Sequence, residues 1–352
     1  MARVADQLSS IAPALLFLLA GVPLAAGLDT LGFFDAVATR LTRGREETSV
    51  LALWVLAAAT TVVLNLDTTV VLLTPLYVRL ARRGGRDPLP LAMVPLLLAC
   101  LASSVLPVSN LTTLIVASRF ELTVADVLTH LALPSLAATT VGWLVYRRIH
   151  PTTIPSGRPG RPDARALRLG GAVVAFVLVG FVLGPLAGIP PWVVALVADA
   201  LLVLVTRVIP WRSVPGMTAA GVAAIAAVAA LVVPADLITQ LLAHDQLAGL
   251  ALLTALATGL ANIINNLPAL LVAIDGSNQM SWGLWAWLLG VNTGAVLLPI
   301  GALANVLWWR ILRAEEVAVT LREYVRFTVP VALPALAAAT TVLLIERAVA
   351  GV

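Results

Sequence analysis

The sequence predicts an all-α polytopic membrane protein built as an inverted repeat, with two re-entrant hairpins and two broken helices. Three observations carry that expectation. The 352 residues include 60% hydrophobic and only 11% charged side chains, and the mean hydropathy of +1.00 lies outside the range of a soluble domain. Arginine clusters recur beside the apolar runs, as positive charge does when it sets topology. Two apolar stretches, each broken in the middle by a polar tip, begin and end on the same predicted side.

All 22 cationic residues are Arg. Their position in short loops argues for topology rather than nucleic-acid binding. The first apolar run lacks a small-residue cleavage pattern and reads as a retained span. Arg40–Arg45, Arg79–Arg86, Arg147–Arg168, Arg207 with Arg212, and Arg310–Arg326 mark the cytoplasmic side. The acidic or neutral connections then fall outside, which fits an inner (plasma) membrane protein.

The first repeat, 1–148, takes a span at 10–37, a cytoplasm-facing hairpin at 49–80, a broken helix at 88–119 and a span at 123–147. A Pro-, Gly- and Arg-rich linker occupies 149–168. The second repeat, 169–352, takes spans at 169–187, 191–208 and 215–234, an outside-facing hairpin at 246–274, a broken helix at 281–312 and a span at 323–347. Trp282, Trp285 and Trp287 at one interface, and Trp211, Trp308 and Trp309 at the other, are expected to form an aromatic belt.

The order of polar-tipped hairpin, broken helix and closing span occurs twice, with hairpins opening to opposite faces. That pattern places a transport site at the repeat interface near the midplane. Non-helical backbone at membrane depth is tolerated only where protein or a water-filled cavity satisfies it, so the tips point inward. The cage would draw on Asn65, Asp67, Thr68 and Thr69; Ser109, Asn110, Thr112 and Thr113; Asn262, Asn265 and Asn266; and Asn292, Thr293 and Asn305. Amides and hydroxyls both donate and accept, which suits a small hydroxylated solute or a partly dehydrated cation. Thr68, Thr69 and Thr112 could equally bond to their own helix backbone.

Asp67 is the candidate for proton coupling, because a carboxyl at membrane depth costs roughly 2.5–3.5 kcal/mol on insertion scales. Asp199 lies on a span outside the repeat core, where a helix-packing role is expected. The single cysteine, Cys100, excludes both a disulfide and a multi-thiolate site. The scattered His130, His150 and His244 give no metal-ligand pattern, so neither cofactor nor metal is expected. No HExxH, GxSG-type nucleophile or aspartate pair supports an intramembrane enzyme.

Five ordered stretches, "GFFDAVATRL", "NLDTTVVLLTPL", "LPVSNLTTLIVASRF", "NIINNLPALLVAIDGS" and "GVNTGAVLLPIGALANVLWW", resemble the bacterial arsenite permease (ArsB-type) family of the ion transporter superfamily. The resemblance implies an elevator-type carrier that exports arsenite or antimonite in exchange for protons. Its partners would be the small inorganic solute, protons and the lipid bilayer, with no nucleic acid. A homodimer and the soluble ATPase subunit of some members stay open. The family's usual acid in the last broken helix is Asn292 here. Its Asn directly before the hairpin Asp is Leu66, and the second Asn after the "SN" pair is Thr113. A sodium-coupled dicarboxylate or sulfate carrier, or a sodium/proton antiporter, of the same superfamily is the alternative.

Overall fold

The computed structural model describes residues 2–42, 47–155, 161–211 and 246–351 apart from 276 and 278, together with 214, 216, 217, 220, 221, 223, 224 and 242. The expected span at 215–234 lies largely outside the described residues. What is described is helical, apart from one short pair of strands, Glu47–Ser49 (β1) and Thr153–Pro155 (β2).

In the first half, α1 (Ala2–Thr30) and α2 (Phe33–Thr42) precede β1. Next come α3 (Val50–Val63) with α4 (Leu66–Arg83), then α5 (Pro88–Leu101) with α6 (Leu111–Arg119), then α7 (Val124–Ile149). After β2 come α8 (Ala164–Leu183) and α9 (Pro191–Thr206). The second half then repeats the order of the first: α10 (Leu247–Ile264) with α11 (Asn266–Asp275), α12 (Trp282–Thr293) with α13 (Leu303–Ala314), and α14 (Leu321–Ala350). Four of these, α7, α8, α10 and α14, are long and apolar enough to cross a membrane.

The helix starts follow from local chemistry. Asp87 caps α5 through Leu89 N at 3.0 Å, with Pro88 entering the first turn, where its missing N–H costs nothing. Thr123 with Asp126, and Thr320 with Glu323, form reciprocal capping boxes at the starts of α7 and α14.

Two expectations change. The segment expected as one span at 10–37 divides at Gly32, which adopts a φ of +78° open to glycine, so that α2 leaves α1 at a turn. The linker is also more than a boundary: β2 pairs antiparallel with β1, Val50 N donates to Thr152 O at 2.8 Å, and the linker thereby grips the base of α3.

Half of the tryptophans expected in the belt lie inside the protein instead. Trp285, Trp287 and Trp308 are buried, and two of them use their polar ends in packing. Trp287 Nε1 donates to Ala269 O at 3.0 Å, and Trp308 Nε1 donates to Ala92 O at 2.8 Å. Satisfying a buried indole N–H in this way turns it into a bolt between helices. The His130 ring stacks on Trp285 with centroids 4.5 Å apart. His150 stacks on Phe327 at 5.0 Å, fastening the other end of α7 to α14.

A polar ladder locks α10 to α12. Thr254 Oγ1, Thr258 Oγ1 and Asn262 Nδ2 donate to the carbonyls of Ala286, Gly290 and Gly294 at 3.1, 3.2 and 2.8 Å, each 32 residues ahead in the chain. The ladder needs backbones in close approach, which the glycines permit. A Cβ built at Gly290 would lie 2.4 Å from Thr254 O and 2.8 Å from Ala257 Cβ. Gly290→Ala is therefore expected to cost about 1–3 kcal/mol by overpacking, read as a lower unfolding temperature in detergent. An unchanged temperature would mean that the two helices have slack.

Candidate functional site

Each polar interruption seen in the sequence ends one helix and begins another. In the first pair the turn is made by Asn65, at φ 146° and ψ 174°, and in the second by Asn265, at φ 84° and ψ 150°. Both are non-glycine residues held at positive φ, a strain that persists only where the surroundings enforce it. Each also caps the helix it starts: Asn65 Oδ1 accepts from Thr68 N at 2.8 Å, and Asn265 Oδ1 from Leu267 N at 3.2 Å. Side-chain capping compensates backbone donors that the break would otherwise strand.

The broken helices are built alike. Asn110 caps α6 through Thr112 N at 3.1 Å, and its Nδ2 donates to Ser103 Oγ at 3.0 Å. Ser109 Oγ folds back onto Ser103 O and Leu106 O at 2.7 and 2.6 Å. At the second break, Asn305 Nδ2 donates to Ala295 O and Leu298 O at 2.9 and 3.0 Å. Asn262 Oδ1 accepts from Leu298 N at 2.8 Å. The start of α13 has no side-chain cap.

Cross-bonds then join the parts. The tip of the second pair is fastened to the second break by Asn265 Nδ2 to Ile300 O at 2.9 Å and Asn266 N to Gly301 O at 2.8 Å. Asn292 ties the two broken helices together. Its Oδ1 accepts from Thr112 Oγ1, and its Nδ2 donates to Ser104 Oγ at 3.1 Å and Thr113 Oγ1 at 2.9 Å.

Where these ends meet lies a cavity of about 440 Å³. Its wall takes Leu66 and Asp67 from the first pair, Asn110, Leu111 and Thr112 from the first break, Ile264 to Pro268 from the second pair, and Leu303 from the second break. Leu18, Met217 and Gly221 complete it. Helices α4, α6, α11 and α13 all begin at this wall, so four helix N-termini turn their partial positive charge towards it. Among the described residues no Arg lines it, and Asp67 is the one ionisable side chain. Asp67 Oδ1 is buried without a hydrogen-bond partner.

The cage expected from sequence is thus sorted. Asp67, Asn110, Asn265 and Asn266, with Thr112, are brought together at the cavity. Asn65, Thr68 and Thr69 stay within the first tip, where Thr69 Oγ1 donates to Asn65 O at 2.9 Å. Ser109, Thr113, Asn262, Asn292 and Asn305 stand behind the wall in the bonds just described. Thr293 is buried, and its Oγ1 has no partner. Ser103 and Ser104 escaped the sequence reading, although a serine pair just before "VLPVSN" was a usable signal. The apolar lining carried none.

The fold and its relatives define a multi-pass inner-membrane transport protein. A family model described as citrate transporter (CitMHS) matches residues 7–290, and the chain belongs to that family. The arsenical pump membrane protein of Escherichia coli is 28% identical over 357 residues, covering 88% of this chain and 80% of that one. Its counterpart in Yersinia enterocolitica is 28% identical over 355 residues with the same coverage. These relatives bear out the resemblance to arsenite permeases. The crystal structure of the Alcanivorax borkumensis YdaH transporter shares the fold, at a TM-score of 0.56 and 15% identity over 97% of this chain and 86% of that chain.

Proposed function

We propose that the chain is a secondary transporter that exports arsenite, antimonite or a similar small hydroxylated solute by proton antiport. The observation that carries this reading is Asp67, the one ionisable group among the described residues of the cavity wall, with an unpartnered buried oxygen. A neutral solute donates an O–H to the ionised carboxylate, and a proton there weakens that acceptor by removing its charge. Solute and proton therefore compete for Asp67, which is the condition for exchange. An anion reverses the logic: ionised Asp67 repels it, so it would travel together with a proton.

In this reading the paired helices α3–α4 and α10–α11 are re-entrant hairpins of an inverted repeat. Together with both broken helices they form the part that carries solute across in an elevator movement. The cross-bonds from the second tip to the second break, and from Asn292 to both broken helices, support movement as one body. The names of the arsenical pump relatives support the choice of solute.

A sodium-coupled dicarboxylate or sulfate carrier is the second reading. It is favoured by the four helix N-termini at the wall and by the membership of a family of citrate transporters. Flux into proteoliposomes of arsenite, sulfate, succinate and citrate, each with and without sodium and a pH gradient, separates the two. Arsenite is expected to move against an opposing proton gradient without sodium. Sodium-dependent succinate or citrate uptake with no arsenite movement would reverse the choice.

A further inference from the structure

We infer that the solute is read by two side chains, Asp67 and Asn266, one from each paired-helix tip, while the cavity's other polar side chains hold the backbone. The inference rests on the cavity being the transport site. Five polar side chains reach its wall: Asp67, Asn110, Thr112, Asn265 and Asn266. Three of them are already spent within the protein. Asn110 has both ends of its amide engaged, the oxygen by Thr112 N and the nitrogen by Ser103 Oγ. Asn265 is held likewise by Leu267 N and Ile300 O. The Thr112 hydroxyl is donated to Asn292.

Asn266 differs. Its backbone N–H bonds to Gly301 O, which fixes the residue, but its side chain is engaged with no described residue. It is nonetheless 6% exposed. With no protein partner among the described residues, the amide at the cavity wall is open to whatever fills the cavity. Asp67 Oδ1, which is fully buried, has no partner either.

The two groups specify complementary chemistry. An ionised carboxylate only accepts, whereas an amide both donates and accepts. The matching molecule is small and neutral, presents at least two hydroxyls, donates one hydrogen bond to Asp67 and exchanges a donor–acceptor pair with Asn266. The rest of the described lining, the leucines with Ile264, Pro268 and Met217, is apolar.

The test compares Asn266→Ala with Asn110→Ala and Asn265→Ala, measuring KM and Vmax in proteoliposomes and unfolding temperature in detergent. The transport probe is arsenite, or whichever of sulfate, succinate or citrate the wild-type protein carries. Asn266→Ala keeps the backbone bond to Gly301, so it should unfold at the wild-type temperature with KM raised roughly 10-fold, the loss of about one buried hydrogen bond. Asn110→Ala and Asn265→Ala should unfold at lower temperature, because each loses the two bonds by which its amide holds the backbone. An unchanged KM in Asn266→Ala overturns the inference, as does an equal rise in KM for Asn110→Ala at wild-type stability. If the wild type carries citrate or succinate in place of arsenite, the proposed solute fails and the Asn266 comparison still decides this inference on that probe. A wild type that carries none of the four removes both.

Discussion

Asp67→Asn is expected to abolish proton-driven transport while leaving a folded, inserted protein. The substitution is isosteric, and Asp67 makes no hydrogen bond whose loss would unsettle the first tip: the capping bond there belongs to Asn65 and the helix-locking bond to Thr69. What is lost is the acceptor. A hydrogen bond to an ionised group contributes about 1.5–3 kcal/mol, or roughly 10- to 100-fold in affinity. The amide also cannot exchange a proton, so coupling fails outright. On the proposed exchange, proton and solute compete in the wild type, so lowering the pH on the side where solute binds should raise the apparent KM. In Asp67→Asn that dependence should vanish. A variant that keeps the wild-type pH dependence would remove Asp67 from the mechanism.

The reason Asp67 could be singled out before any coordinates is local. A carboxyl inside an apolar run is conspicuous whatever surrounds it, and so are "NLDTT" and "NIINNLP" as places where a helix must stop. The helix breaks fall where those residues predict: α3 gives way to α4 at Asn65, and α10 to α11 at Asn265. What escaped local reading was the division of labour among the amides. Asn262, Asn292 and Asn305 look as suited to a ligand as Asn266 does, because the groups that occupy them are distant in the chain. Asn292 reaches Ser104, 188 residues away, and Asn262 reaches the carbonyl of Gly294, 32 residues away. The grip of β2 on β1 and the internal use of Trp287 and Trp308 were hidden for the same reason, since strands of three residues and buried indoles leave no periodic signal.

Asn292 gives the second large effect, and here two substitutions should diverge. Asn292→Leu strands three buried partners, the hydroxyls of Ser104, Thr112 and Thr113. At about 1–3 kcal/mol for each unsatisfied group, the sum is comparable with the few kcal/mol that separate a folded domain from its unfolded chain. This variant should fail to accumulate as folded protein. Asn292→Asp has the same shape and meets a different fate, because hydroxyls are reversible. Ser104 and Thr113, which accept from the amide nitrogen, can rotate and donate to a carboxylate, while Thr112 goes on donating as before. The network therefore survives and holds a second acid, bonded to the Thr112 that shares the cavity wall with Asp67. If Asp67 alone carries the exchange, as proposed, the wild type moves one proton per solute. In Asn292→Asp the pH dependence of flux should steepen towards two protons per solute, measured as the solute gradient that balances an imposed pH gradient. A folded Asn292→Asp protein with unchanged stoichiometry would mean that this position holds the broken helices together without access to the coupling proton.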